Sequence, residues 1–160
     1  MEGRMSQAAG NPGPAMSEYA LRRLALPDSS AVAAILQECP EASRWSATDV
    51  SEFIGSGVGW AAEKNGRIVG FLLARAVADE SEILNMAVGK AHRRHGIATE
   101  LLKMAIQWLR SAGTSSIYLE VRASNSAAIS LYTRHGFVPG GRRASYYKNP
   151  SEDAILMSRT

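Results

Sequence analysis

The run Gly89-Lys90-Ala91-His92-Arg93-Arg94-His95-Gly96-Ile97-Ala98 carries the plainest chemistry in this sequence. It joins an apolar stretch ending at Val88 to a long amphipathic one, and so reads as strand, loop and helix start. The first turn of a helix has N–H groups without intrahelical partners, and its dipole favours negative charge there. Gly96 and Ala98 let the backbone come close to a bulky pyrophosphate, and Lys90, Arg93 and Arg94 add positive field. The chemistry would be anion binding. A solvated basic loop ahead of an ordinary helix accounts for the same run equally well.

Further along, Ser116-Ile117-Tyr118-Leu119-Glu120-Val121 alternates with period two, which puts Glu120 and Tyr118 on one strand face. Alone, such a glutamate is ordinarily a surface residue. Tyr132 follows Asn125 by seven residues, so the two project from nearly the same face of a helix. A helical tyrosine ordinarily packs its ring and leaves its hydroxyl wet. His92 and His95 flank the arginines of the loop, and His135 falls in a helix's last turn, where a cation suits the dipole. These histidines are not a ligand set, and no metal is called for. Cys39 is the only cysteine. That excludes an intramolecular disulfide and a multi-cysteine metal site. At the end of an apolar helical stretch, directly before Pro40, Cys39 reads as a buried structural thiol in a reducing cytoplasm.

The elements that would position these residues follow from periodicity and turn chemistry. Tyr19–Leu24 reads as a strand. Pro27 and Asp28 open a helix through Ala31, Val32, Ile35 and Leu36, which Pro40 ends. A shorter helix follows Ser46. Gly59–Lys64 and Arg67–Val77 flank Asn65-Gly66, the strongest short hairpin signal, because a type I′ turn needs positive φ at both central residues. Glu82–Val88 is a strand. Ile97–Ala112 is the clearest helix, with Leu101, Leu102, Ala105, Ile106 and Leu109 on one side, and Gly113 stops it. Ser124 or Asn125 caps a helix to His135, terminated by Gly136. Phe137-Val138, a stretch near Tyr146 and Tyr147, and Ala154–Met157 read as strands. The order is β-α-α-β-β-β-α-β-α-β-β, an α/β domain with a mixed sheet over residues 18–160. Residues 1–17, rich in Gly, Ala, Ser and Pro, read as a flexible N-terminal tail without the apolar core of a signal peptide.

The chain has 160 residues, 46% hydrophobic and 21% charged, the usual range of a soluble globular protein. No apolar run is long enough to span a membrane. A formal charge of +3 and a pI of about 9.2 would suit a polyphosphate ligand or nucleic acid. The arginines are spread through several segments with little aromatic interleaving, which argues against direct nucleic-acid binding as the main function.

Arg93-x-x-Gly96-x-Ala98 resembles the acetyl-CoA signature of the GNAT N-acetyltransferases, with alanine at 98 for the commoner glycine. A longer match resembles the core block of the ribosomal-protein-alanine N-acetyltransferases within that superfamily. It comprises Leu119-Glu120-Val121-Arg122-Ala123-Ser124-Asn125, Ala127-Ala128-Ile129, Leu131-Tyr132 and Gly136-Phe137. Arg142-Arg143-x-x-Tyr146-Tyr147 and Glu152–Met157 resemble the same subfamily's C-terminal end. The resemblance spans roughly Tyr19 to Met157.

It implies a mixed, mainly antiparallel sheet flanked by helices, with a splayed strand pair at an acetyl-CoA cleft. It also implies acetyl-CoA as cosubstrate, with no metal. Backbone amides of Arg94, His95, Gly96, Ile97, Ala98 and Thr99 would hold the pyrophosphate, with Arg93 beside them. Met86, Ala87 and Val88 would pair with the pantetheine arm, an N–H near Val88 would polarise the thioester carbonyl, and Asn125 would bond the pantetheine amide region. Glu120 becomes the general base and Tyr132 the acid for the leaving thiolate. An α-ammonium has a pKa near ~8 and an ordinary carboxylate one near ~4.3, so the base would act through water or after desolvation. The implied acceptor is a protein N-terminal amine, Ala or Ser on a small-subunit ribosomal protein. Asp79, Glu80 and Glu82 could offer a basic tail a local acidic patch. Trp45, Tyr146 and Tyr147 read as packing that could also line an acceptor groove. The rivals are a GNAT enzyme for lysine side chains or small amines, a non-catalytic acetyl-CoA-binding module, and a nucleic-acid-binding domain.

Overall fold

The computed structural model describes residues 18–160, so the tail expected over residues 1–17 lies outside the described residues. The elements run β1 (Ala20–Arg23), α1 (Ser29–Gln37), α2 (Ala47–Ser56), β2 (Val58–Lys64), β3 (Arg67–Val77), β4 (Glu80–Val88), α3 (Ile97–Ser111), β5 (Ser116–Arg122), α4 (Ser126–Arg134), β6 (Val138–Tyr147) and β7 (Glu152–Arg159). This is the order read from the sequence. The strands hydrogen-bond in the order β1-β2-β3-β4-β5-β7-β6. β1–β2, β5–β7 and β6–β7 are antiparallel and β4–β5 is parallel. The fold is the mixed, mainly antiparallel α/β architecture anticipated.

Local chemistry explains the boundaries. Asn65 and Gly66 have φ of 52° and 77°, the paired positive values that a type I′ turn requires between β2 and β3. Ser46 caps α2: its hydroxyl accepts from the Asp49 N–H at 3.1 Å, and the Asp49 carboxylate accepts from the Ser46 N–H at 2.9 Å. Asp28 binds Arg22 through both oxygens, at 2.9 and 3.0 Å, and accepts from the Ala25 N–H at 2.8 Å, which anchors the turn before α1.

The chain divides into two compact units. The first takes in the described residues up to Leu73 together with Asn85–Ala105. Its core packs Val32, Ile35, Leu36 and Cys39 of the α1 segment with Val50 of α2 and Ala61, Phe71 and Leu73 of the sheet. Trp45 stacks on Phe53 at 4.1 Å between ring centroids and packs on this core. The backbone there is close: a Cβ on Gly59 would sit 2.6 Å from Leu24 Cδ1 and 2.8 Å from Leu73 Cδ1.

The second unit comprises Ala74–Leu84 and Ile106–Thr160. Ile117, Leu119 and Val121 of β5 are buried, as are Leu131, Tyr132, Phe137, Ala154 and Met157. The parallel ladder of β4 with β5 covers Glu80↔Ser116, Ser81↔Ile117 and Glu82↔Tyr118, although β4 continues to Val88 and β5 to Arg122. The stretches at Val138 and at Tyr146-Tyr147 belong to one strand: β6 runs from Val138 to Tyr147, and Phe137 precedes it. Its register on β7 shifts between Pro139 and Gly141 and again between Arg143 and Tyr147. Those irregularities, and exposure along nearly the whole strand, remove the alternation by which it would have been legible.

Candidate active site

In the first unit, β4 leads through a 3₁₀ turn at Lys90–His92 to the head of α3. Arg94 and Gly96 both have positive φ, 67° and 80°, and Arg94 is strained there as a non-glycine residue. The first helical bond of α3 runs from the Glu100 N–H to the Gly96 carbonyl at 3.1 Å. The amides of Ile97, Ala98 and Thr99 therefore precede it and lack intrahelical acceptors. Left-handed residues followed by such amides form a concave run of donors suited to an anion.

Arg93 does not add its charge to that cradle. Its Nε donates to the Val88 carbonyl at 3.0 Å, and its Nη2 donates to Glu41 Oε2 at 2.9 Å and to Cys39 Sγ at 3.2 Å. It braces the loop against β4, and the exposed Arg94 and Lys90 supply the local field. Cys39 is buried and donates to the same Val88 carbonyl at 3.6 Å. Burial pushes its thiol up, with Arg93 opposing, so it is a structural thiol as anticipated. Ala87 and Val88 are buried and Met86 is half-buried. The Tyr19 hydroxyl lies 3.2 Å from His92 Nδ1, and His95 Nδ1 lies 3.1 Å from the His92 carbonyl oxygen. The histidines serve the loop's shape, and among the described residues no group of three His, Cys, Asp or Glu is placed to hold a metal.

In the second unit, β5 presents Ser116, Tyr118, Glu120 and Arg122 on one face, as the alternation required. Glu120 is 19% exposed and pairs tightly with the Arg143 guanidinium, which is 55% exposed. Register explains the reach. Gly141, Leu156 and Glu120 lie in one row across β6, β7 and β5, and Arg143, Ala154 and Arg122 lie in the next row on that face. Gly141 puts no side chain in the row of Glu120, which leaves Arg143 room to lean across β7.

Two tyrosines complete the group. Arg143 lies 5.7 Å from the Tyr146 ring centroid, and hydrogen bonding to Glu120 is the main cause of Tyr146's raised phenol pKa. Tyr147 is half-buried, with Arg122 stacked 4.4 Å from its ring centroid, and burial together with the Glu120 charge pushes its phenol up to about 12. Arg122 also donates to Glu152 at 3.3 Å, and Glu152 accepts from the Ser124 N–H at 2.6 Å. These bonds, Ser124 first, hold the Glu152 carboxyl below the usual range.

Asn125 is the N-cap of α4, its Oδ1 accepting from the Ala128 N–H at 3.2 Å. The cap takes up the oxygen and not the amide nitrogen. Tyr132, two turns on, is buried with its ring 5.6 Å from Phe137, and desolvation raises its phenol well above the ordinary value. The structure thus brings Glu120 together with Arg143, Tyr146 and Tyr147, a cluster the periodicity of β5 alone did not reveal. The doublet Arg142-Arg143, separated by two residues from Tyr146-Tyr147, was its sequence signal.

The chain is 39% identical over 97 residues to the [ribosomal protein bS18]-alanine N-acetyltransferase of Escherichia coli K12, across 59% of this chain and 66% of that protein. It therefore spans just under two thirds of the length of that relative. Its fold matches the crystal structure of the ribosomal-protein-S18-alanine N-acetyltransferase from Escherichia coli with a TM-score of 0.80, at 32% identity, covering 88% of this chain and 92% of that one. It matches Ard1 from Thermoplasma volcanium with a TM-score of 0.81, at 26% identity, covering 89% and 97%. The family model for the acetyltransferase (GNAT) family matches residues 21–137, from β1 through α4. The chain belongs to the acetyltransferase (GNAT) family.

Proposed function

We propose that this protein transfers the acetyl group of acetyl-CoA to a protein N-terminal α-amine, with N-terminal Ala or Ser of a small-subunit ribosomal protein as the acceptor class. The observation that carries the transfer is the anion cradle at the head of α3, where Arg94 and Gly96 turn left-handed just before three unpaired amides. A diphosphate fits that donor set, with Arg94 and Lys90 for charge and Arg93 as the brace behind it. The acceptor class rests on the likeness to the Escherichia coli enzyme that bears that name.

Acetyl-CoA brings an activated thioester, and the proton transfers fall to this chain. Glu120 takes the proton of the attacking amine, directly or through a water. The backbone of Met86, Ala87 and Val88 binds the pantetheine arm. The Val88 carbonyl is already held by Arg93 and Cys39, which keeps that end of β4 from shifting. The Asn125 amide nitrogen serves the same arm. Tyr132 serves the departing sulfur in this reading. Its raised phenol makes full proton transfer to an ordinary thiolate uphill, so it acts chiefly as a neutral hydrogen-bond donor while solvent delivers the proton.

The test is CoA release with acetyl-CoA held constant. The acceptors are peptides beginning Ala, Ser, Met or Gly, each free and N-terminally blocked, with free lysine and spermidine. Turnover confined to free Ala- or Ser-starting peptides is the expected result. Turnover on lysine or spermidine alone would keep the transfer and overturn the acceptor, and acetyl-CoA binding without any turnover would make the chain a binding module.

A further inference from the structure

We infer that Arg143 is the resting counter-ion of Glu120, displaced by the acceptor's ammonium, and that it thereby sets the threshold at which a cationic amine enters the site. This deepens the acceptor reading above and rests on it. Glu120 is mostly covered, and its pairing with Arg143 already fills the place that a substrate cation needs. The two charges differ in how freely they move. Glu120 is fixed on β5, which is hydrogen-bonded on one side to β7 and over its first three residues to β4. Arg143 stands on exposed β6, beside a register shift and two residues before Ser145, whose φ is 50°.

Arg143 also has somewhere to go. The Tyr146 ring already lies 5.7 Å from the guanidinium and can keep it when the ion pair opens, and Glu82 is a second carboxylate acting on its charge. Glu82 already pairs with Arg75 at 3.4 Å, so a guanidinium arriving there joins an existing cation rather than meeting a bare carboxylate. Release costs an ion pair whose cationic side is 55% exposed, so water takes up much of the charge of the departing guanidinium. An acceptor without positive charge cannot compensate even that, whereas an α-ammonium replaces the lost partner. Arg143 is on this account a positioning and specificity residue, not a catalytic one.

The experiment measures binding of an Ala-starting peptide to the CoA-saturated enzyme, with steady-state kinetics alongside. Arg143→Gln, which keeps size and polarity without charge, should tighten the peptide's Kd and lower its KM by about three- to five-fold, the range of an ion pair with one solvent-facing partner. Arg143→Lys should stay within about two-fold of the parent, because the charge is kept. Millimolar methylguanidinium should compete with the peptide on Arg143→Gln far more than on the parent. In the Glu120→Gln background, removing Arg143 should have no effect on Kd. Weaker or unchanged peptide binding by Arg143→Gln would overturn the inference, since a brace or a direct acceptor contact predicts loss rather than gain. Full kcat in Glu120→Gln would instead sink Glu120 as the base. The Kd comparison remains readable in that event, so the two failures are distinguishable.

Discussion

Burial treats the two residues expected to move protons differently. Tyr132 is enclosed and its phenol is raised by desolvation, so it stays neutral across any physiological assay. Tyr132→Phe should slow transfer about equally from pH ~6 to pH ~9, because no ionisation of the phenol falls in that range. Full activity in this variant would remove Tyr132 from the chemistry. The same shift has a stability consequence. The folded phenol titrates above the unfolded one, near ~10, so the unfolded chain releases the proton first as pH rises. The contribution is whole below pH ~10 and is lost as pH climbs from there toward the folded value. Melting curves at about pH 9 and 11 should show a larger drop for the parent than for Tyr132→Phe. An equal drop would mean that the hydroxyl is solvated. Tyr147, also raised, contributes in the same sense to both proteins, and its charge adds to the shift of Tyr132 in the parent.

Among the elements, α4 carries two duties at one residue. Asn125 caps the helix through Oδ1, while the proposed function uses its amide nitrogen on the pantetheine arm. Aspartate keeps the oxygen and loses the donor, and alanine loses both. Asn125→Asp should therefore leave the melting temperature near the parent's and raise the KM for acetyl-CoA, whereas Asn125→Ala should also cost about 1 kcal/mol of stability. Unchanged acetyl-CoA kinetics in Asn125→Asp would confine the residue to capping. The hairpin of β6 and β7 divides its work similarly. Arg122, Glu152 and Ser124 tie its tip to β5, and Arg143 reaches back from β6 to Glu120. The tip is anchored, and the displaceable charge stands beside it, opposite Ala154.

For the molecule as a whole, a net charge of +3 favours a polyanionic cosubstrate, and ligand binding to the folded state alone raises its stability by mass action. At a hundredfold excess over Kd the gain is about 2.7 kcal/mol, which for a chain of this length is a rise of roughly 5–10 °C in melting temperature. Acetyl-CoA should produce that rise, and added salt should diminish it by screening Arg94 and Lys90. No shift at saturating acetyl-CoA would remove the cradle from the proposed function.

Much of this was legible in the residues because it is decided over a few positions of chain. Two positive φ values in succession need Asn65-Gly66, a helix start needs an oxygen such as that of Ser46, and period-two alternation puts Glu120 with Tyr118 whatever surrounds them. The element order, the turn from β4 into α3 and the buried Cys39 followed from the same local rules. What only the tertiary structure decided depends on registers between distant segments and on burial, neither of which a local pattern encodes. The β7 register brings Arg143 onto Glu120, 23 residues away. The guanidinium of Arg93 turns inward because Val88, Glu41 and Cys39 offer acceptors on three separate segments. Enclosure of Tyr132 keeps its phenol neutral, since the cost of a buried phenolate is set by everything packed around it.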